Sequence, residues 1–136
     1  VTGQSLSFAD GMEIGRRIWN LDHAIWTLQG RHRDMVHFAD YIYDRAYKGF
    51  MELGLVGYER VVGYHMPGRR NGTWQYVNVA GRSLDREKFE EFKDHFYTLE
   101  GWDVATGYPT RQTLEALDLG EVADELAAAG RLGASG

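Results

Sequence analysis

Residues 7–30, SFADGMEIGRRIWNLDHAIWTLQG, read as one long helix. Ile14, Ile18, Leu21, Ile25 and Leu28 recur at steps of four, three, four and three. That spacing keeps them on one face of a 3.6-residue period. Ser7 stands where an N-cap oxygen is wanted, with Asp10 in the first turn, and Gly30 suits a left-handed position after the last turn. At 1.5 Å per residue the helix would run roughly 33 Å, about the width of a small domain. Gly11 and Gly15 each cost roughly 1 kcal/mol against alanine, which implies another backbone close on that side.

Working outward, Arg31-His32-Arg33 forms a polar connector, and Asp34 is expected to cap a second helix reaching about Leu53. Phe38, Ile42, Ala46 and Phe50 would line it at i+4 spacing, with Tyr41, Tyr43 and Tyr47 beside them. Val61–Met66 and Thr73–Val79 are β-rich and flank Asn71-Gly72, the strongest short hairpin signal. A third helix, capped by Ser83 or Asp85, would bury Phe89, Phe92, Phe96 and Leu99. Glu87, Lys88, Glu90, Glu91 and Lys93 would form its solvated face, and Gly101 would end it. Thr110 behind Pro109 is placed to cap a short helix to about Leu117. A last helix over about Glu121–Ala129 offers Val122 and Leu126 as anchors, and Gly130–Gly136 is expected to fray. The predicted fold is mainly α, about five helices in an irregular lobe with a small hairpin near residues 61–79. It would be held by the stripes of the first and third helices packed together. On that reading Ile18→Asp unfolds the domain.

The totals bound what such a lobe can do. The 136 residues suit a single domain spanning 1–136, and the net charge of −5 comes with no basic stripe for nucleic acid. No apolar run approaches the ~20 residues of a membrane span. With no cysteine there is no thiol nucleophile and no thiolate to hold zinc or an iron–sulfur cluster, which fits a cytoplasmic protein. The chain begins at Val1 without a methionine and is expected to be a piece of something longer.

Candidate chemistry is sparse. His23, His32, His37, His65 and His95 show no metal-binding spacing, and the bland reading of each is a surface or hydrogen-bonded core residue. Glu90-Glu91 beside Lys88 and Lys93 reads as solvated charge rather than as an acid–base pair. Asp85, Asp103 and Thr110 read as turn and helix caps. No catalytic, cofactor-binding or metal residue is therefore assigned. Arg31, His32 and Arg33 could hold a phosphate or carboxylate at a helix junction, the alternative being an ion-paired connector. Trp19 and Trp26 share one side of the first helix and widen its apolar arc. These five residues are the candidate interface or channel wall. The Trp19/Trp26 side is expected either to pair with a second copy or to face another domain.

Two stretches carry a resemblance. Thr2-Gly3 leads into Gly15-Arg16-Arg17-Ile18-Trp19-Asn20-Leu21. Farther on, Gly101-Trp102-Asp103 precedes Gly107-Tyr108-Pro109-Thr110, Leu114, Leu117 and Leu119. Together they resemble the C-terminal portion of the aldehyde ferredoxin oxidoreductase family, tungsten enzymes with a bis-pterin cofactor. That family carries G-x-R-x-W-N-L on a helix and closes with a G-W-D…G-x-P-T pattern. The order and rough spacing match across nearly the whole chain, except for about residues 35–82. After Trp19-Asn20-Leu21 the family usually runs R-x-F-N-x-R-E-G. Here His23 to Gly30 replace it, and the aromatic Phe38–Phe50 stretch replaces an Asp-x-Leu-Pro segment. These departures suit a divergent branch, such as the tungsten subunit of aromatic acyl-CoA reductases.

The resemblance implies a parent oxidoreductase turning aldehydes into carboxylic acids, with tungsten bis-pterin and a [4Fe–4S] cluster held upstream of these residues. Its partners would be those upstream cofactor domains and ferredoxin or an electron-transfer subunit. This segment would wall the substrate channel without holding a cofactor. A free-standing helical protein-binding module is the competing reading from the residues alone.

Overall fold

The computed structural model describes residues 3, 5–46 and 65–134. Among them are five α-helices, a 3-10 turn and one two-stranded sheet, so the fold is mainly α with a small hairpin. The chain divides into two units, one built from residues 1–37 and 90–136, the other from residues 38–89.

In the first unit, helix α1 spans Phe8–Leu28. Ser7 and Asp10 close a reciprocal capping box: the Asp10 N–H donates to Ser7 Oγ at 3.2 Å, and the Ser7 N–H to Asp10 Oδ2 at 2.7 Å. Gly30 takes φ +106°, and the Arg31 N–H reaches back to the Trp26 carbonyl at 3.0 Å, so the helix ends where its glycine stands.

The face that α1 buries is not the expected one. Asn20, Ala24 and Thr27 are fully buried and His23 nearly so, while Ile14, Ile18, Leu21, Ile25 and Leu28 are 39–62% exposed. The reason lies in what meets the helix. Ala24 fits against Leu114, Leu119, Ala123 and Leu126, a core supplied by the end of the chain. The loop before that core presents a backbone carbonyl and an indole N–H, which need polar partners. The helix that packs on α1 is α5, Gly120–Ala128. Nor, among the described residues, does any backbone crowd Gly11 or Gly15: a Cβ at either would meet nothing within 4 Å.

Helix α3, Arg86–Glu100, starts on Asp85, whose carboxylate accepts the Lys88 N–H at 3.1 Å. Here too the buried residues are unexpected. Lys93 and Tyr97 go inside, while Phe92 is 60% and Leu99 78% exposed. Lys93 is not on a solvated face, because its Nζ donates to the Val36 carbonyl at 3.1 Å and pairs with Glu90 at 2.7 Å. Helix α4, Arg111–Glu115, is capped by Thr110. The segment after α5 does not fray over Gly130–Ala134. Gly130 turns at φ +66°, the Gly133 N–H donates to the Pro109 carbonyl at 2.9 Å, and a Cβ on Gly133 would lie 2.6 Å from the Tyr108 oxygen.

The second unit holds α2 and the hairpin. Instead of a helix from Asp34 to Leu53, a 3-10 turn at Arg33–Met35 precedes a five-residue α2, Asp40–Asp44. The Asp34 N–H bonds to His32 Nδ1 at 3.3 Å, so Asp34 lies inside the turn rather than capping a helix. Arg45 leaves α2 in extended geometry, and residues 47–53 lie outside the described ones. Tyr43, the buried ring of α2, accepts the Phe38 N–H on its hydroxyl at 3.0 Å. Arg86 lies 4.2 Å over its face and pairs with Asp40 and Asp44 at 3.0 and 3.1 Å. Strands β1, His65–Arg70, and β2, Thr73–Asn78, pair antiparallel with Arg70 opposite Thr73. Asn71 at φ 50° and Gly72 at φ 78° make the two-residue turn between them, so the strands reach inward past Pro67 and Gly68. Val61–Tyr64 of the expected first strand fall outside the described residues.

Candidate functional site

The inner face of α1 puts Asn20, His23 and Thr27 on successive turns, and the loop after α3 closes over them. Asn20 donates from Nδ2 to the Arg16 carbonyl at 3.0 Å and accepts the Trp102 indole N–H on Oδ1 at 2.8 Å. His23 lies flat on Trp102, ring centres 3.6 Å apart and planes 4° from parallel. Its Nε2 is 2.7 Å from the Gly107 carbonyl. A carbonyl only accepts, so Nε2 carries the hydrogen. Burial holds the His23 pKa below the usual imidazole range, against the opposing pull of the Gly107 bond. Thr27 Oγ1 donates to the His23 carbonyl at 2.9 Å. Among the described residues no buried side-chain polar atom lacks a partner.

The loop itself is held at both ends. The hydroxyls of Thr110 and Thr113 both lie 2.7 Å from the Gly101 carbonyl. Burial favours the neutral acid at Asp103, but hydrogen bonds from the Ala105 N–H, the Thr106 hydroxyl and the Ala134 N–H outweigh it. Its pKa is therefore lowered. Around Trp102 stand Trp19 at 6.1 Å, Phe96 at 5.7 Å edge-on and Tyr97 at 5.9 Å, and Phe92 stacks on Phe96 at 6.3 Å. A row of rings thus runs from α1 to α3, with Trp19 40% and Phe92 60% exposed at its two ends.

The five candidate residues do not form one surface patch. Trp19 joins the ring row, whereas Trp26 is covered by the Arg31 guanidinium at 4.7 Å. His32 pairs with Asp34 at 3.2 Å and meets Tyr108 edge-on at 5.6 Å. Arg33 is a tie rather than an anion site. Its guanidinium serves Glu90, Asp94 and the Val104 carbonyl, its backbone N–H reaches Thr106 at 2.8 Å, and its side chain is 13% exposed.

Beside the ring row opens a cleft of about 1180 Å³, lined by Met12, Arg16, Leu99, Glu100, Thr113 and Leu117, among others. Its walls are mixed apolar and charged. In the buried node Asn20 Nδ2 and Oδ1, His23 Nε2, Thr27 Oγ1 and the Trp102 indole N–H each serve a structural bond. Among the described residues no group of three His, Asp or Glu could hold a metal, and the sequence has no cysteine. No described helix is long and apolar enough to cross a membrane.

Sequence reasoning missed the node. The signal was present as a second period on α1, Arg16, Asn20, His23 and Thr27, whose polarity argued against burial. It also missed Arg131, which donates to the Thr27 carbonyl at 2.8 Å and to the Leu28 carbonyl, capping α1 from the far end of the chain.

The node joins Trp19-Asn20-Leu21 to Gly101-Trp102-Asp103 and Gly107, stretches that lie about 80 residues apart in the chain and one hydrogen bond apart in space. Comparison with protein families matches residues 1–119 to one described as aldehyde ferredoxin oxidoreductase, domains 2 & 3. Searches of curated proteins and of solved structures find no match.

Proposed function

The chain belongs to the aldehyde ferredoxin oxidoreductase family, and we propose that it is the C-terminal helical part of a tungsten-pterin oxidoreductase, a wall of the substrate channel. The observation that supports this is the coincidence of family match and geometry. The match covers both motif stretches, and these form the buried node that fixes the loop 101–110 on α1. The job of such a node is positional, holding the cleft lining and the ring row in place.

The residues present do not fit the parent's metal groups. A [4Fe–4S] cluster needs thiolates, and no cysteine exists here. The pterin's tungsten and the cluster would be held by upstream domains, and no step of the reaction is assigned to this chain. In the parent, an aldehyde and water would give a carboxylic acid, two protons and an electron pair passed to ferredoxin. The two exposed ends of the ring row, Trp19 and Phe92, together with Leu99 and Met12 of the cleft, are the surface we assign to those upstream domains. An apolar surface of this kind on an isolated unit marks a contact.

Affinity isolation of the chain from its native source, with elemental analysis, tests the reading. Tungsten and iron are expected in the isolate, travelling with a cysteine-bearing polypeptide or region. They should be absent from the 136 residues purified alone. One equivalent of tungsten or iron retained by those residues through chelator treatment would overturn the assignment of roles. Isolation free of any tungsten-bearing polypeptide would favour a free-standing binding module.

A further inference from the structure

The hairpin of the second unit and the turn after it carry charge of one sign. From His65 to Leu84 the sequence places Arg69, Arg70 and Arg82 and not one Asp or Glu, in a chain whose net charge is −5. Elsewhere arginine finds acid: Arg33, Arg86 and Arg111 each pair with two carboxylates. Among the described residues the guanidinia of Arg70 and Arg82 have no partner. Arg69 gives only its Nε, to the Gly72 carbonyl at 3.2 Å.

The backbone gathers these charges around one hollow of about 330 Å³. Strand register puts Met66, Gly68 and Arg70 of β1 on the same face as Val77, Gln75 and Thr73 of β2. Gly68 has no side chain to fill the middle of that face, and a Cβ there would lie 3.0 Å from Val77 Cγ2. After β2, Gly81 at φ +81° turns the chain, and the Arg82 N–H closes the turn on the Val79 carbonyl at 3.1 Å. That turn brings Arg82 and Val79 to the hollow. Arg69 belongs to the other face of the ribbon, opposite Trp74, and borders the hollow from its edge. Met66, Val77 and Val79 give the hollow an apolar wall.

Guanidinia gathered around one concavity repel each other unless an anion shares them. A guanidinium presents paired N–H donors that match carboxylate or phosphate oxygens. Charge separates the two ligands. A carboxylate balances one guanidinium, whereas a phosphate monoester carries close to two negative charges at neutral pH and balances both. The apolar wall gives contact to a hydrophobic substituent, and the hollow falls at the small end of the size range of small-molecule sites.

We propose that this hollow binds the phosphate of a small monoester bearing an apolar group, with Arg70 and Arg82 as its two cationic ligands. The site is built entirely from residues of the second unit.

Isothermal titration of the full chain with phenyl phosphate is expected to show saturable binding at one equivalent. Phenol should not bind, benzoate should bind more weakly as a monoanion, and inorganic phosphate more weakly for want of the apolar contact. Arg70→Gln and Arg82→Gln should each weaken phenyl phosphate about tenfold. Arg16→Gln/Arg45→Gln removes as much charge as that pair of changes from exposed residues outside the hollow, and should leave the affinity unchanged. Absence of saturable binding overturns the proposal. So does an affinity that survives Arg70→Gln/Arg82→Gln, or an equal loss in the Arg16→Gln/Arg45→Gln control. Benzoate or inorganic phosphate binding as tightly as phenyl phosphate overturns the assigned ligand class. If Arg70→Gln disturbs the pairing of β1 with β2, Arg82→Gln, outside both strands, decides alone, and an unchanged affinity overturns the proposal.

Discussion

At the scale of single residues, the Asn20–Trp102 pair is the sharpest test of the buried node. Asn20→Ala leaves a buried indole N–H without an acceptor and should cost about 1–3 kcal/mol in denaturant unfolding. Trp102→Phe should then cost less in the Asn20→Ala background than in the wild type, a coupling that a double-mutant cycle measures. His23 makes stability depend on pH. Its folded pKa lies below the ordinary value of 6.5, so the unfolded chain takes up the proton first. Stability is therefore full above about pH 6.5, falls as pH drops through that value, and levels off below the folded pKa. His23→Gln should flatten that slope in unfolding midpoints taken across about pH 5–8, and an unchanged slope would remove His23 from the account. Much of the single-residue detail was legible where a local rule fixes it. Ser7 with Asp10, Gly30, Asn71-Gly72 and Thr110 all sit where their turn or cap chemistry requires. His23, Asn20 and Thr27 were not legible as core, because a polar residue becomes a core residue only through partners some 80 or more residues away.

At the scale of elements, helix existence was readable and helix orientation was not. Periodicity locates a face without saying which neighbour takes it; hydrophobicity suggested the wrong one for α1 and only part of the right one for α3, where Phe89 and Phe96 are half-buried while Phe92 and Leu99 are exposed. Ile18 shows the difference. It is 62% exposed, so Ile18→Asp in the monomer should change stability by no more than about 0.5 kcal/mol, not unfold it. Thermal unfolding at a dilution that excludes association measures this. The C-terminal end of α1 has no basic residue in its last turn and borrows Arg131 instead. Arg131→Ala should cost roughly 1 kcal/mol and raise amide exchange first in the last turn of α1. Uniform exchange across α1 would show that the guanidinium is not its cap. The expected long second helix failed for a related reason. Its aromatic density lowers helix propensity, and the short α2 inserts Tyr43 and no other residue into its local core.

At the scale of the whole molecule, family membership was legible from two short motifs, and the structure supplies the reason they occur together: they are the two halves of one buried contact. The family match ends at residue 119, yet Ala123 and Leu126 beyond it are fully buried against Ala24. Residues 1–119 alone should therefore lose the cooperative unfolding of the full chain, since burying Leu126 contributes about 1.5–3 kcal/mol by itself. A sharp calorimetric transition in that truncation would contradict the assignment of the core. The borrowed cap on α1 also sets a schedule. Asn20, His23 and Thr27 wait for Trp102, Gly107 and Arg131, bonds that span 82, 84 and 104 residues. At about 5–20 residues per second, a ribosome makes the first helix at least roughly five seconds before the last of these partners exists. For that interval the polar face of α1 lacks the partners that bury it. The helix is thus made well ahead of the groups that finish it, and until they emerge it depends on whatever shelters its unmatched amide, imidazole and carbonyl.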